Sequence, residues 1–325
     1  EITTDDITIG LVAENKETIT INGSIKTTIA NEKALMDIIL TSEEILELVK
    51  EATKENPLEI TIPIDMAQIT DRLYDKSVNV IELNLIANSE LLSNEKIKTE
   101  FILSKSILNA VKNNRKSMDI HIKDTDGLTL YSWHFEGDRV PYTSQKLDSV
   151  NLSISIGGVE KNTELSDLLK QDKEVTSAYL LSMNNKNTLP TGTKVKVNVA
   201  GKLDVPSGQK VYIYYYDQST GKIMSVPKVT HKIGADGTVE FNVIYSGDYV
   251  ITTKMPNSKV RTSLLKQVSI PEKITVALDS PKTLKPSITS GLNLVDSLNE
   301  EGEIGSGTEF MPVLLQYSTT DKKVL

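Results

Sequence analysis

Apolar residues in the first third of the chain recur with two different periods, one typical of strands and the other of helices. Three segments combine an alternating apolar run with a short amphipathic stretch, and they are residues 37–62, 60–85 and 100–122. In the first segment, Ile45, Leu48, Val49 and Ala52 are spaced i, i+3, i+4, i+7, so they share one face of a helix. The pattern predicts strand–helix–strand repeats in an α/β domain over residues 1–140.

From residue 117 onward, the alternation indicates β-strands. Asp126-Gly127 and Asp236-Gly237 each lie between two alternating runs, and Asp-Gly in this position predicts a hairpin because glycine accepts a positive φ. The strand spacing predicts a mainly antiparallel β-sandwich. The predicted organisation is α+β, with the sandwich at 141–254, a linker at 255–268 and a further, incomplete β-segment at 269–325.

One predicted strand, VYIYYYDQ, carries four tyrosines within five residues. Strand side chains alternate between faces, so Val211, Ile213 and Tyr215 should share one face, and three tyrosines the other. These three are Tyr212, Tyr214 and Tyr216, which are the candidate ligand contacts of the chain. An exposed face would offer rings for stacking a sugar. The interpretation that we favour is structural packing under a loop or a neighbouring domain, with contact to another protein as a third alternative.

Composition narrows the class of partner. The formal net charge is −8 and the pI is about 5.2, so the basic surface that nucleic acid requires is not expected. The chain has no cysteine, which excludes disulfides and thiolate chemistry. No apolar run is long enough for a membrane span. Because the sequence begins EITTDD rather than with Met, we expect that a signal peptide has been removed.

The sequence contains no recognisable catalytic motif. His121, His134 and His231 are far apart in the sequence and lie in predicted strands, and no zinc-protease, serine-hydrolase or phosphate-loop pattern is found. Trp133 alternates with Tyr131 and Phe135, which favours core packing. We therefore expect no catalytic, cofactor-binding or metal-binding residues and no enzymatic activity. The alternative of a hydrolase with an unrecognised carboxylate pair stays open, since such a pair needs only the right separation in space.

Four stretches resemble a module found in extracellular and S-layer-associated proteins of Gram-positive bacteria. They are SMDIHIKDTDGLTLYSWHFEG, VNLSISI, KVYIYYYDQSTGKIMSV and IGADGTVEFNVIYSGDYVIT, and the resemblance covers roughly residues 117 to 254. The tail, with KITVALDSPKTLKPSI and VLLQYSTTDKKVL, resembles the first half of a bacterial Ig-like domain of the BIG2 type.

This resemblance implies an exported, non-catalytic surface protein of several domains. Its expected role is that of a structural stalk or adhesion module at the cell surface or cell wall, in contact with cell-wall or host-matrix glycan or protein. The alternative is a carbohydrate-binding module of a wall-associated or saccharolytic protein, using Tyr212, Tyr214 and Tyr216. A buried tyrosine strand would favour the first function, and coplanar exposed rings would favour the second.

Overall fold

A computed structural model describes most of the chain up to residue 261. The described residues are 1–13, 18–41, 45, 49–88, 91–92, 94–137, 148–173, 175, 177–185, 189–190, 192–201, 203, 205–243, 245–261, 268–269 and 287–288. Strands account for 50% of the structure and helical segments for 15%, so the fold is mostly β with several sheets.

The strands fall into two main sheets and one short pair. In chain order they are β1 (Ile2–Ala13), β2 (Thr18–Ala30), β3 (Lys33–Leu40), β4 (Leu58–Ile64), β5 (Val80–Ile86), β6 (Ile97–Leu103), β7 (Ser117–Lys123), β8 (Thr129–Glu136), β9 (Val150–Asn151), β10 (Ile154–Gly158), β11 (Ala178–Met183), β12 (Lys194–Asn198), β13 (Lys210–Asp217), β14 (Lys222–Lys232), β15 (Thr238–Asn242), β16 (Gly247–Thr252), β17 (Val268–Ser269) and β18 (Ser287–Ile288). The described α-helices are α1 (Ala67–Tyr74), α2 (Lys105–Asn113) and α3 (Thr163–Leu169), with 3-10 turns η1 (Val49–Glu51) and η2 (Val159–Lys161).

The large sheet is arranged around a long central hairpin, β1–β2. Its eleven strands have the order β15-β12-β8-β7-β5-β3-β2-β1-β4-β6-β9. On one side of the hairpin β3, β5 and β7 are parallel to each other, and on the other side β4 and β6 are parallel. Successive strands from β3 to β7 therefore alternate between the two sides, and the connections that carry α1 and α2 cross the hairpin each time.

One face of the large sheet supplies the core. In β3 and β7 the residues alternate strictly between buried and less buried, as the period-2 pattern predicts. Helix α2 begins at Ser104, whose hydroxyl accepts a hydrogen bond from the Ile107 N–H at 3.3 Å, and buries its apolar residues in the same core. The ammonium of Lys116 donates to the Asp75 and Val78 carbonyls, so it fixes the turn between α1 and β5.

The two Asp-Gly turns have different outcomes. The turn at Asp126-Gly127 joins β7 and β8 as a hairpin, as predicted. At Asp236-Gly237 the turn also forms, and the Gly234 N–H donates to the Thr238 carbonyl at 2.8 Å. The strands on its two sides do not pair, however, because β14 belongs to the small sheet whereas β15 pairs with β12 in the large one. The hairpin prediction at this second turn is wrong.

The small sheet is wholly antiparallel and has the order β10-β11-β16-β13-β14. From β9 to β16 the chain passes repeatedly between the two sheets, because β12 and β15 extend the large sheet while their neighbours in sequence lie in the small one. Side chains of both sheets share one continuous apolar core. A domain boundary at residue 140 therefore does not coincide with a boundary between the sheets.

Part of the predicted linker at 255–268 is attached to the small sheet. Val260 is completely buried, and its carbonyl accepts a hydrogen bond from the Ile223 N–H at 3.0 Å. The Asn257 N–H donates to the Asp172 carboxylate at 2.6 Å. Of the tail, the structure describes only the short antiparallel pair β17–β18, so the predicted BIG2-type segment at 269–325 lies almost entirely outside the described residues.

Candidate functional site

The tyrosines of β13 lie between two apolar clusters. Val211 and Ile213 face the core shared by the two sheets, whereas Tyr212, Tyr214 and Tyr216 face a second cluster. This is the predicted division of the strand into two faces. The exposed fraction is 0% for Tyr214 and 3% for Tyr216. Neither ring offers a face to solvent, so the three candidate contacts do not form an exposed stacking surface.

Helix α3 covers this tyrosine face. Its buried leucines, Leu165, Leu168 and Leu169, belong to the same cluster as Tyr214 and Tyr216. The Tyr216 hydroxyl donates to the Glu164 carboxylate at 3.2 Å, so its polar end is bonded at the rim of the cluster. Burial is the main cause that raises the pKa of Tyr216, and the hydrogen bond with Glu164 adds to it.

Tyr215, on the other face, belongs to a group of aromatic rings. Its ring centroid is 5.4 Å from that of Tyr245 and 5.3 Å from that of Tyr249. Burial raises the pKa of Tyr215 and of Tyr245. Tilted rings at these distances are typical of stabilising aromatic pairs, so this group is also part of the scaffold.

A small polar network anchors α3 to the small sheet. Asn162 is the N-cap of the helix, and its side-chain carbonyl accepts a hydrogen bond from the Leu165 N–H at 3.0 Å. The amide group of the same side chain donates to Asp248 on β16 at 2.5 Å. The Ser182 hydroxyl on β11 donates to the other oxygen of Asp248, also at 2.5 Å. Asp248 therefore orients the cap and holds the helix over the tyrosines.

A cleft opens where the edges of the two sheets diverge. It has a volume of about 670 Å³ and lies between β6 and β10, with Leu130 and Tyr131 of β8 at its base. A second cavity of about 480 Å³ adjoins the N-terminus of α3 and extends to Asp248. The two cavities share Ser155, Lys161 and Ser182, so they adjoin each other along β10.

At one end of this cleft, the Ser153 side chain bonds backbone groups of β6 that a neighbouring strand would otherwise bond. Its hydroxyl accepts a hydrogen bond from the Phe101 N–H at 3.0 Å and donates to the Thr99 carbonyl at 3.2 Å. The neighbouring Leu152 donates its N–H to the Phe101 carbonyl at 2.7 Å, and its own carbonyl accepts from the Trp133 indole at 2.7 Å. The chain between β9 and β10 is therefore fixed to both β6 and β8.

The charges that line the cleft are partly neutralised. Lys98 forms an ion pair with Glu59 at 2.7 Å, and Glu95 forms one with Lys54 at 2.9 Å. Glu100 and Lys161, which also line the cleft, have no ion pair with any residue in the described ranges. One carboxylate and one ammonium are thus left for an external partner.

A second candidate region is the polar outer face of the large sheet. The Nδ1–H of His134 on β8 donates to the Asp119 carboxylate on β7 at 2.7 Å, and the other ring nitrogen of His134 lies 3.5 Å from Glu136. His121 bonds the Ser132 hydroxyl at 2.6 Å, and Glu82 is 3.7 Å from its second nitrogen.

The pKa values of the two histidines are shifted in opposite directions. The hydrogen bond with Asp119 is the main cause that raises the pKa of His134, whereas burial lowers the pKa of His121. Among the described residues, no group of three His, Asp or Glu side chains is arranged to hold a metal ion. The face can therefore respond to pH, but its geometry does not indicate a metal centre.

Sequence reasoning did not bring His134 together with Asp119, or His121 with Ser132, although the Asp-Gly turn gives the pairing. The turn after Lys123 makes β7 and β8 a hairpin in which Asp119 opposes His134 and His121 opposes Ser132. Counting back from the Asp-Gly turn gives these pairs directly. His231 is elsewhere, buried on β14 with its ring 6.3 Å from that of Phe241.

Comparisons with known proteins leave the chain without an assigned family. Neither a scan against protein-family models nor a search of curated proteins returned a match. Within the part of the chain that the structure describes, no helix has the length and apolar character needed to cross a membrane.

Proposed function

We propose that this protein is a non-catalytic module of an extracellular bacterial surface protein, with the role of a structural stalk or adhesion unit. The proposal includes strand–helix–strand repeats in the N-terminal part and an Ig-like continuation beyond residue 268. Partners would be cell-wall or host-matrix glycans or proteins. It rests on the resemblance of residues 117–254 to such modules and on the mechanical connection between the two sheets.

The observation that carries the proposal is this connection. Strand β1 lies at the middle of the large sheet, whereas Arg261 lies beside Ile223 on β14, at the far edge of the small sheet. A force applied between these points has to pass through the core that both sheets share. The repeated passages between sheets from β9 to β16 mean that neither sheet can be pulled away alone. Such a unit is suited to bearing load in a stalk.

Two polar groups that line these cavities, and one in the buried core, have scaffold roles. The Ser153 hydroxyl bonds the backbone of β6, and the Asp248 carboxylate accepts from the N-cap residue of α3. The Trp133 indole donates to the Leu152 carbonyl in the β9–β10 connection. Each of these contacts links elements that belong to different layers. The carbohydrate-binding alternative depended on exposed rings at positions 212, 214 and 216, and the burial of Tyr214 and Tyr216 leaves it without that surface.

Two measurements test the proposal. The first is cooperativity: thermal and denaturant unfolding should give one transition, because the sheets share a core. Trp133 is the sole tryptophan and reports on the large sheet, while near-ultraviolet circular dichroism of the tyrosines reports mainly on the small sheet. The two signals should change at the same denaturant concentration.

The second measurement is force. Pulled between positions 1 and 261 in a single-molecule experiment, the protein should rupture in one event. Two separated ruptures, or two non-coincident unfolding transitions, would contradict a single load-bearing unit. Turnover of a peptide, ester or glycan substrate that a single Asp or Glu substitution abolishes would replace the proposal with the hydrolase alternative.

A further inference from the structure

We propose that the open edge of β10 binds an extended polypeptide segment of a partner protein, which enters the 670 Å³ cleft as an added β-strand. This inference goes beyond the stalk function, because it assigns a binding site and the chemical class of its ligand. It does not depend on how the two sheets bear load.

The orientation of β10 follows from one hydrogen bond. The strand pairs with β11 on one side, with Ile154 opposite Met183 and Ile156 opposite Leu181. On the other side of β11, the Thr253 N–H donates to the Ser177 carbonyl at 3.4 Å, so the odd-numbered residues of β11 face β16 and the even-numbered ones face β10. Ser155 and Gly157 lie opposite the even-numbered Ser182 and Leu180, so their backbone groups point toward β11. Because backbone groups point alternately to the two sides of a strand, those of Ile154, Ile156 and Gly158 point away from β11.

This side of β10 therefore presents a row of open backbone groups. They are the Ile154 carbonyl, the Ile156 N–H and carbonyl, and the Gly158 N–H. None has a hydrogen-bond partner among the residues that the structure describes. β10 is the terminal strand of the small sheet, so no other described strand covers this row. An alternating row of donors and acceptors is what a sheet edge offers to an incoming strand.

The opposite wall of the cleft carries a shorter row of the same kind. The Lys96 carbonyl bonds β4, so even-numbered residues of β6 face β4 and odd-numbered ones face the cleft. The Ser153 hydroxyl already bonds the Phe101 N–H and the Thr99 carbonyl. The Ile97 carbonyl and the Thr99 N–H are left for a ligand. A polypeptide is the ligand whose own backbone alternates donors and acceptors along both of its edges.

Charge and apolar surface narrow the ligand further. Lys161 and Glu100 line the cleft without ion-pair partners in the described part of the chain, so the segment should carry an acidic residue for the first and a basic residue for the second. Ile156 and Leu92 are half-buried at the wall and favour apolar side chains on the alternate positions. Proline is excluded wherever an N–H has to meet β10.

Hydrogen exchange of the backbone amides tests the free edge. In the protein alone, the amides of Ile156 and Gly158 should exchange at least about tenfold faster than those of Ser155 and Gly157, which point toward β11. A display library of random linear dodecapeptides, selected on the intact protein, should then yield sequences with alternating apolar residues and both charges. A selected peptide in synthetic form should slow exchange at Ile156 and Gly158.

Variants separate strand addition from other binding. Ile156→Pro removes an outward N–H that bonds nothing in the described structure, and it should weaken peptide binding at least about tenfold. Ile156→Val keeps the N–H and serves as the matched control. Unchanged Trp133 emission shows that each variant is folded. If the proline variant does not fold, Lys161→Glu replaces it. Peptides selected on the Lys161→Glu variant should carry a basic residue at one position where peptides selected on the wild-type protein carry an acidic residue.

Three results would overturn the proposal. One is a selection in which no peptide prefers the wild-type protein over the Ile156→Pro or Lys161→Glu variant. Another is peptide binding that leaves the exchange rates of the Ile156 and Gly158 amides unchanged. The third is protection of these two amides that rises with protein concentration in the absence of peptide, which would identify a second copy of the chain as the occupant.

Discussion

The large sheet has one face in the core and one polar face, whereas the small sheet is covered on both. Strands β3 and β7 alternate between buried and less buried residues, and the less buried ones include the histidines and their carboxylate partners. Strand β13 of the small sheet, which lies between β16 and β14, instead buries residues on both sides, toward the shared core and toward α3.

This difference explains two sequence patterns. A strand with one solvent-exposed face must alternate apolar and polar residues, as SMDIHIK does in β7. A strand between two apolar layers can be apolar throughout, and VYIYYY in β13 is of this kind. The additional layer is supplied by α3, a helix of only seven residues. The tyrosine run is therefore the signature of a covered strand rather than of a binding surface.

The largest expected effect comes from opening the second face of β13. Tyr214→Ala should lower the free energy of unfolding by about 3–5 kcal/mol, because it leaves a cavity in a fully buried cluster. Tyr212→Ala, at a half-buried position of the same face, should cost less than half as much. Denaturant unfolding of both variants measures the two losses.

The same pair of variants can contradict the comparison. Equal and small losses would mean that α3 does not seal the tyrosine face. Loss of glycan binding in Tyr212→Ala, with stability unchanged, would restore the carbohydrate-binding alternative. Tyr215→Ala is the matched variant on the opposite face. Tyr215 is half-buried like Tyr212 but also has ring contacts with Tyr245 and Tyr249, so the expected loss lies between those of the other two variants.

A smaller effect is expected where the large sheet holds the chain that leads into β10. Trp133→Phe keeps a large ring but removes the indole N–H, so the Leu152 carbonyl loses its bond inside the core. An unsatisfied buried acceptor costs about 1–3 kcal/mol. Calorimetry should show a lower melting temperature with a single transition. A stability equal to that of the wild-type protein would mean that this bond does not fix the β9–β10 connection.

Local chemistry made part of this fold predictable. The turn at Asp126-Gly127 defined the β7–β8 hairpin, and alternation within VYIYYY correctly divided its side chains between two faces. Both features depend on residues that are close in sequence. Burial of Trp133 with Phe135 on the same face followed from alternation as well, and their rings are stacked with centroids 6.1 Å apart.

Long-range pairing was not predictable in the same way. The turn at Asp236-Gly237 suits a hairpin, but β15 pairs with β12, since Val239 and Phe241 reach the shared core from the large sheet. Which sheet a strand joins depends on where its apolar area can be buried. The sequence of a single strand does not show this. The cleft along β10 is equally invisible, because it arises from the divergence of two edges that are distant in sequence.

Release of α3 should have a modest effect that is confined to the small sheet. Asn162→Ala removes the cap and the bond to Asp248, and it should cost about 1 kcal/mol. Proteolysis near α3 should accelerate while Trp133 emission keeps its wavelength. Asn162→Asp, which can still cap the helix but repels Asp248, separates the two contributions. A red shift of Trp133 in the alanine variant would show that α3 also supports the large sheet.

The smallest expected effect is a pH dependence on the polar face. The pKa of His134 is raised above its usual 6.5, so its stabilising contribution is complete below pH 6.5 and disappears as the pH rises through the folded-state pKa. The pKa of His121 is lowered, so the folded state loses stability as the pH falls from 6.5 through the folded-state pKa. For His134, the hydrogen bond with Asp119 is the main cause of the raised pKa, the charges of Asp119 and Glu136 add to it, and Lys194 opposes it. For His121, burial is the main cause of the lowered pKa, Lys123 and Lys33 add to it, and Glu82 and Asp119 oppose it.

Glutamine variants should therefore diverge at acidic pH. Relative to the wild-type protein, His134→Gln should be less stable at pH 5 than at pH 8, and His121→Gln should gain relative stability over the same fall in pH. Both histidines are partly exposed, so each difference should be at most about 1 kcal/mol. Urea unfolding at the two pH values measures them, and added salt should reduce the His134 effect through screening. Identical pH profiles for the two variants would show that the outer face of the large sheet does not distinguish its histidines.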